Sequence, residues 1–475
     1  MSASAAIFDL DRTLLAGASG PVLSSAMRAA GLMGPALPGE RLLFGLFNAI
    51  GETLPGMALA RQAATMAKGH SRVAVQAAAR SAAGALVDLV QPYAVGLLAE
   101  HRSAGRHLVL ATTTPFDLVK PLADALGFDE VIATRYAVNA DGTYDGTIDG
   151  PFVWSTGKLG AVRDWASRAG VGLDTSWFYS DSLYDLPLLR AVGHPVVVNP
   201  DPRLALIAIA QRWPVVHLDV PPGVPKLPVL GVEPQQLAMA LCRPELFPYA
   251  RFAIEGTDLV PRTGGAIVCA NHRSYFDVAA MAITLARVGR SVRFLGKKEV
   301  FDAPIIGSMA KAMGGIRVDR GTGSDEPLRA AADALDAGQL VAMMPQGTIP
   351  RGSAFFATTL KGRWGAARLA QLTGAPVVPV GLWGTEKVWP RSARVPQVWN
   401  LASPPKVVVR VGEAVVLKGK SLDADTRRIM QAISALLPPE AAVARVPTEA
   451  ELALTYPPGR RPVRSPEDAR RPGTD

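Results

Sequence analysis

Short apolar runs of five to eight residues recur along the chain, each bounded by glycine, proline or a polar turn. Between them the apolar positions space out with helical period. In the first half the runs are AAIFDL (5–10), HLVLAT (107–112), EVIAT (130–134), SWFYSD (176–181) and PVVVNP (195–200). Runs apolar on consecutive positions predict strands covered on both faces, and their alternation with helical stretches predicts an α/β fold. The stretch from about Leu15 to Ala99 is alanine-rich and helical in period, and it falls between the first and second strands as a helical insertion would. A second set follows in AIVCAN (266–271), VRFLGK (292–297), LVAMMPQG (340–347), PVVPVGLW (376–383) and KVVVRVG (406–412).

Between the two sets lies DVPPGVPKLP, starting at Asp219, where proline interrupts all periodicity and predicts an extended, semi-rigid linker. A chain of 475 residues exceeds one ordinary core. The expected division is therefore a first α/β domain over 1–218, a linker over 219–234, a second α/β domain over 235–445, and a polar, proline-rich, disordered tail over 446–475.

Composition narrows the class. Apolar residues make up 49% of the chain, enough for two cores, and the net charge of +9 suits an anionic partner such as a phosphate ester, coenzyme A or an acidic lipid. Nucleic acid is not expected, because no recognition motif is present and the basic residues are not interleaved with aromatics. Cys242 and Cys269 fit neither a disulfide framework nor a metal-ligand spacing, which points to a reducing compartment. Met1–Ala6 lacks the basic and apolar regions of a signal peptide, and no apolar stretch approaches the roughly 18 residues of a spanning helix. The longest candidates are Leu42–Ile50 and Leu204–Ala210. The expected location is the cytoplasm.

Candidate chemistry in the first half begins at Asp9-Leu10-Asp11-Arg12-Thr13, at the end of the first strand. Two carboxylates so spaced place a nucleophile toward phosphorus beside a general acid/base and near one cation. Thr112 closes the second strand, Lys158 sits in STGK ahead of a helical run, and Asp181 and Asp185 follow the fourth strand in SDSLYD. A hydroxyl, a cation and further carboxylates at strand ends suit phosphoryl binding and Mg²⁺. Together these motifs resemble the haloacid dehalogenase superfamily, in its phosphoserine-phosphatase-like branch with a helical cap, over about residues 3–215. The resemblance implies that Asp9 is the phosphorylated nucleophile and Asp11 the acid/base. It implies that Thr112 and Lys158 bind the phosphoryl group, and that Mg²⁺ is held by Asp9, Asp11, Asp181 and Asp185. Arg12 departs from the small residue usual there, and LLAGASG, with Ala18, lacks the acidic residue that binds the amine of phosphoserine.

In the second half, Asn271-His272-Arg273-Ser274-Tyr275-Phe276-Asp277 follows a strand directly. A His at a strand end with a carboxylate five residues on can form a pair in which Asp277 orients His272 as a base for an acceptor hydroxyl. No nucleophile elbow accompanies it, so direct attack by the acceptor is expected. Lys297, Arg317 and Arg320 follow at positions suited to gripping phosphate, and Pro345-Gln346-Gly347-Thr348 forms a tight turn whose N–H groups suit phosphate or oxyanion binding.

These blocks resemble the glycerolipid acyltransferases, the family of 1-acylglycerol-3-phosphate acyltransferase, over about residues 248–415, and the order of the two halves is similar to fused proteins of actinobacteria. The resemblance implies His272 as general base and Asp277 as its partner. Lys297 and Arg320 would bind the acceptor phosphate, with acyl-CoA or acyl carrier protein as donor and a lysophospholipid or glycerol phosphate as acceptor. The usual Glu-Gly-Thr-Arg is here Gln346-Gly347-Thr348-Ile349, and Arg351 is the candidate replacement for the missing arginine. Acyl chains reside in membrane, so the expected protein docks peripherally on the inner face of the plasma membrane, through LFPYARF (246–252) or FDAPIIGSMAKAM (301–313) with Lys297 and Lys298. The alternative is that phosphatase chemistry is the main activity and the second half serves as a membrane-binding module.

Overall fold

The computed structural model describes residues 3–35, 52–227, 231–302, 304, 306–318 and 326–459. The chain divides into two compact units, one of Met1–Pro222 with Lys226–Gly231 and the other of Gly223–Pro225 with Val232–Asp475.

The first unit carries a seven-stranded sheet in the order β4-β3-β2-β1-β5-β6-β7. The strands are β1 (Ala5–Phe8), β2 (His107–Pro115), β3 (Glu130–Val138), β4 (Tyr144–Asp149), β5 (Trp177–Ser180), β6 (His194–Val198) and β7 (Val215–Val216). All neighbours are parallel except β3 with β4. Ala6, Phe8, Leu108 and Leu110 face one core layer, and Ala5, Ile7, Val109 and Ala111 face the other. That two-sided burial is why these runs read as unbroken apolar sequence. Strand β1 has β2 on one side and β5 on the other, so the order reverses beside it, and the carboxyl edge of such a switch point is an open crevice.

The five expected strands are present in the first unit. Strand β4, at the antiparallel edge, and the two-residue β7 were not anticipated, because their alternating or partial burial leaves no apolar run. The insertion expected over 15–99 contains helices Gly20–Ala29, Leu54–Met66, Arg72–Val87 and Ala94–Ser103, while the run Leu42–Ile50 lies outside the described residues. Arg72, Gln76 and Tyr144 converge on the Asp117 carboxylate at 3.0, 2.7 and 2.9 Å, which ties the insertion to the exit of β2.

The second unit carries another seven-stranded sheet, in the order β11-β10-β12-β9-β13-β14-β8. Its strands are β8 (Arg251–Glu255), β9 (Ala266–Ala270), β10 (Val292–Lys297), β11 (Ile316–Val318), β12 (Leu340–Met343), β13 (Val377–Trp383) and β14 (Lys406–Val411). Only β13 and β14 pair antiparallel. Strand β9 again splits its side chains, with Ala266, Val268 and Ala270 in one core and Ile267 and Cys269 in the other.

One expectation is corrected in this unit, that of a wholly disordered tail. The stretch 246–252 leaves Leu246 exposed. It enters edge strand β8, and Phe247, Tyr249 and Phe252 gather around Phe276 with ring centroids 6.0 to 6.3 Å away. The run 340–347 ends as a strand at Met343, because Pro345 has no N–H to donate and Gly347 turns the chain at φ +73. The tail is folded at its start. Helix Glu449–Leu454 is closed by a capping box between Thr448 and Glu451, and Tyr456 beyond it is buried. Residues 460–475 lie outside the described residues.

Candidate active sites

In the first unit the site grows from the end of β1. The Asp9 amide donates to the Tyr179 carbonyl at 2.9 Å, which carries the strand pairing one residue further and sets the carboxylate at the crevice. Arg12 then takes a left-handed conformation (φ 60), so the chain reverses and Thr13 faces back toward β5. There the Thr13 hydroxyl donates to Asp181 Oδ1 (3.1 Å) and accepts from the Asp181 amide (3.0 Å). Arg12 Nε sits 3.2 Å from Asp181 Oδ2. An arginine where a small residue was expected is thereby explained as an ion-pair partner inside the site.

Lys158 is fully buried and bridges two carboxylates, Asp9 Oδ1 and Asp185 Oδ2, each at 2.8 Å. Burial works against its charge, but Asp185 and Asp9 outweigh burial and push its pKa up, so it stays an ammonium. Asp185 Oδ2 also accepts from the Ser180 hydroxyl at 2.7 Å. Asp185 thus holds Lys158, which holds Asp9, while Asp185 Oδ1 is buried with no hydrogen-bond partner among the described residues. Asp11 is held by Ser19 and Thr114. Its Oδ1 accepts from the Ser19 amide (2.6 Å), and Thr114 Oγ1 lies 3.5 Å from its Oδ2. Thr112 is buried, and its hydroxyl accepts from the Thr114 amide at 3.2 Å.

Glu52 enters the same site from the insertion, with Oε2 accepting from Ser182 Oγ (2.7 Å) and Trp154 Nε1 (3.1 Å). Burial pushes Asp9 up to about 8 against the pull of Lys158, and burial likewise raises Asp11, Asp181 and Glu52. Five acids thus face two cations. Among the described residues no three acidic side chains close into a metal-binding group. Asp9 and Asp181, buried and mutually repelling, nevertheless supply oxygen donors that suit a divalent cation, whose charge would favour their ionised forms.

In the second unit the site lies at the carboxyl end of β9. Asn271 continues the β9–β13 pairing with its side chain, donating to the Leu382 carbonyl (2.8 Å) and accepting from the Leu382 amide (2.7 Å). His272 is thereby presented just past the sheet edge. Its Nδ1 lies 2.7 Å from Asp277 Oδ2, at the first turn of helix Asp277–Ala286. The same oxygen accepts from the amides of Arg273 (2.6 Å) and Ser274 (2.8 Å), and Asp277 is wholly buried. A carboxylate acceptor assigns the proton to Nδ1 and leaves Nε2 with its lone pair. Asp277 Oδ1 is buried without a hydrogen-bond partner among the described residues.

Gln346 accepts the His272 amide on Oε1 at 2.6 Å. A carboxamide supplies the same acceptor as a glutamate, so the change in the third block preserves this support. The Gly347 amide donates to the Met344 carbonyl (2.8 Å), which closes the turn. Arg391 donates to the Ile349 carbonyl, and the Thr455 hydroxyl accepts from the Gly352 amide at 2.8 Å. The start of the tail therefore braces the turn that supports His272. Arg273 pairs with Glu386 at 3.1 Å and lies over the rings of Phe355 and Trp383 at 4.4 and 4.2 Å.

Arg317 pairs with Asp302 at 3.0 Å on the surface. Lys297 ends β10, but its side chain and all of Arg320 lie outside the described residues. Thr348 and Arg351 are half-buried on the turn after β12.

Comparison with known proteins defines the class of the two α/β units. A profile for haloacid dehalogenase-like hydrolases matches residues 6–190, and one for acyltransferases matches residues 251–383. An "inhibition of morphological differentiation protein" of Streptomyces azureus is 31% identical over 50% of this chain and 87% of its own length. A phosphoserine phosphatase, SerB1, of Mycobacterium tuberculosis is 35% identical over 30% of this chain and 48% of its own. The chloroplastic 1-acyl-sn-glycerol-3-phosphate acyltransferase LPAT1 of Arabidopsis thaliana is 30% identical over 43% of this chain and 49% of its own. The chain belongs to the haloacid dehalogenase-like hydrolases, with an acyltransferase domain fused behind the hydrolase domain.

Proposed function

We propose that the second unit moves an acyl group from acyl-CoA or acyl carrier protein to the hydroxyl of a lysophosphatidate-like acceptor in phospholipid synthesis, while the first unit hydrolyses a small phosphomonoester with Mg²⁺. The observation that carries the first half is the His272–Asp277 contact of 2.7 Å, with Nε2 left free. Nε2 takes the proton of the acceptor hydroxyl as its oxygen attacks the thioester carbonyl. The imidazolium that forms is stabilised by Asp277, and the proton passes to the departing thiolate. The acceptor phosphate is assigned to Lys297, Arg320, Arg317 and Arg351, and the oxyanion to the turn at Gly347 and Thr348. The intact Gln346 support favours a working acyltransferase over a module that only binds membrane.

In the first unit, the free oxygen of Asp9 attacks phosphorus and the ester oxygen leaves with the Asp11 proton. Water then splits the aspartyl phosphate with Asp11 as base. A raised Asp11 pKa suits the acid role. Lys158, with the Thr112 hydroxyl, faces the phosphoryl oxygens, and Asp185 positions Lys158. Mg²⁺, held by Asp9 and Asp181, would neutralise phosphoryl charge. Location at the cytoplasmic face of the plasma membrane follows from an acceptor that resides in lipid.

One experiment tests both halves on the full chain: labelled acyl-CoA with a panel of lysophospholipids and glycerol phosphates, and a phosphomonoester panel with Mg²⁺. His272→Ala should abolish acyl transfer and Asp9→Asn should abolish hydrolysis, each leaving the other activity intact. Near-wild-type activity in either variant overturns that half.

A further inference from the structure

The helix Pro234–Leu241 is amphipathic the wrong way round for a free surface helix. Its inward positions are polar: Glu233, its N-cap, pairs with buried Arg293 (Oε1 to Nη2, 3.0 Å), and the Gln235 amide nitrogen donates to the Val292 carbonyl at 2.6 Å. Leu237 and Leu241, one turn apart on one face, are 49% and 66% exposed. The apolar exposure continues beyond the helix. Leu246 is 56% exposed, and its neighbour Phe247 packs on Phe276, beside exposed Tyr275 and Val278. The ribbon thus runs from the helix Pro234–Leu241 to the His272 end of helix Asp277–Ala286.

Charge flanks this ribbon. Arg243 and Arg287 are exposed and form no ion pair among the described residues. With Met239, Ala240, Cys242, Pro244 and Ala286 they line a cavity of about 410 Å³ between the two helices. Glu245 is the one acid on its rim. Polar side chains tied inward through Glu233–Arg293 and Gln235–Val292, with leucines and arginines left outward, are the pattern of an interfacial element whose apolar side enters the headgroup boundary.

We infer that this ribbon, Leu237, Leu241 and Leu246 with Arg243 and Arg287, docks the acyltransferase unit on an anionic lipid surface. The occupant is a bilayer rather than a second protein because two unpaired cations flank a leucine row with one opposing acid, which complements phosphate headgroups. The ten-residue helix Asp277–Ala286 spans about 15 Å, so one rigid element links the arginine end of the docking face to the Asp277 that holds His272. The inference rests on the proposed lipid-directed acyl transfer. It differs from the docking stretches expected from sequence in taking only Leu246 from 246–252, whose Phe247, Tyr249 and Phe252 pack around Phe276.

The test is flotation of the full chain with phosphatidylcholine vesicles, with and without about one-third phosphatidylglycerol. Wild type should float with the anionic vesicles and release as salt rises. Leu237→Glu/Leu241→Glu should lower partitioning at least tenfold, and each of Arg243→Ala and Arg287→Ala about fivefold on anionic vesicles only. Thermal unfolding of each variant checks the fold, and Leu237→Ser/Leu241→Ser serves if the glutamates unfold it. No flotation of wild type, or unchanged flotation of a folded leucine variant, overturns the inference. So does a change confined to oligomeric state on gel filtration, which would give the face to a second copy. Acyl transfer to a short-chain, water-soluble lysophosphatidate without vesicles reports separately on the proposed function.

Discussion

Replacing Asp277 by Asn isolates the electrostatic part of the acyltransferase site. The carboxylate lies 2.7 Å from His272 Nδ1, wholly buried. Coulomb's law at an effective dielectric of about 20 gives about 6 kcal/mol of attraction for the imidazolium, a ceiling on what the charge supplies. Asn retains an acceptor for the Arg273 and Ser274 amides, but its NH₂ must face either Nδ1–H or the site of Oδ1, where no acceptor lies among the described residues. Losing about two-thirds of the ceiling corresponds to about a 10³-fold fall in kcat, and the wrong tautomer extends this toward 10⁴. KM should change little, because the acceptor is gripped elsewhere. The assay is steady-state acyl transfer with purified variant, alongside thermal unfolding. Disrupted hydrogen bonds should cost about 1–3 kcal/mol of stability, well short of unfolding the unit. Activity of the Asn variant within tenfold of wild type would refute the orienting role of Asp277.

Gln346→Glu should remain within a fewfold of wild type, since it keeps the acceptor for the His272 amide, whereas Gln346→Leu strands a buried N–H and should lose about ten- to a hundredfold in acyl transfer. Thr455→Val removes the acceptor of the Gly352 amide and should reduce acyl transfer while leaving phosphomonoester hydrolysis unchanged, measured side by side. His101 accepts from Arg106 (3.0 Å) and meets the Tyr179 hydroxyl (2.7 Å), and burial, with Arg106 adding to it, lowers its pKa to about 4. The unfolded chain binds that proton first, so stability is full above about pH 6.5 and declines by up to about 3 kcal/mol as pH falls toward 4. Unfolding of wild type and His101→Gln across that range should show a steeper acid loss in wild type.

The central strands of both sheets and both candidate pairs were legible in the amino-acid order because they rest on local rules. Strands covered on both faces need consecutive apolar residues, which is why AAIF and AIVCA stand out. Chemistry at a switch point needs its groups at the carboxyl ends of those strands, which places Asp9, Asp181 and His272. His272 and Asp277 are five residues apart, within reach across one helix start.

Tertiary structure decided what depends on distant partners. Asp185 reads as a metal ligand by spacing, and only the fold reveals that its Oδ2 binds Lys158, 27 positions away. Glu52 joins the phosphatase site only because the insertion folds back over it, and nothing in its own neighbourhood signals that. The edge strands β4 and β8 carry mixed sequence because one side of an edge is only partly covered. The tail has the composition of a disordered segment, yet a capping box at Thr448 starts a helix in it, and Thr455 beyond that helix braces Gly352. Local periodicity sets which segments form elements. Which side chains meet is set by the packing of elements hundreds of residues apart, and that packing converts two recognisable motifs into two sites.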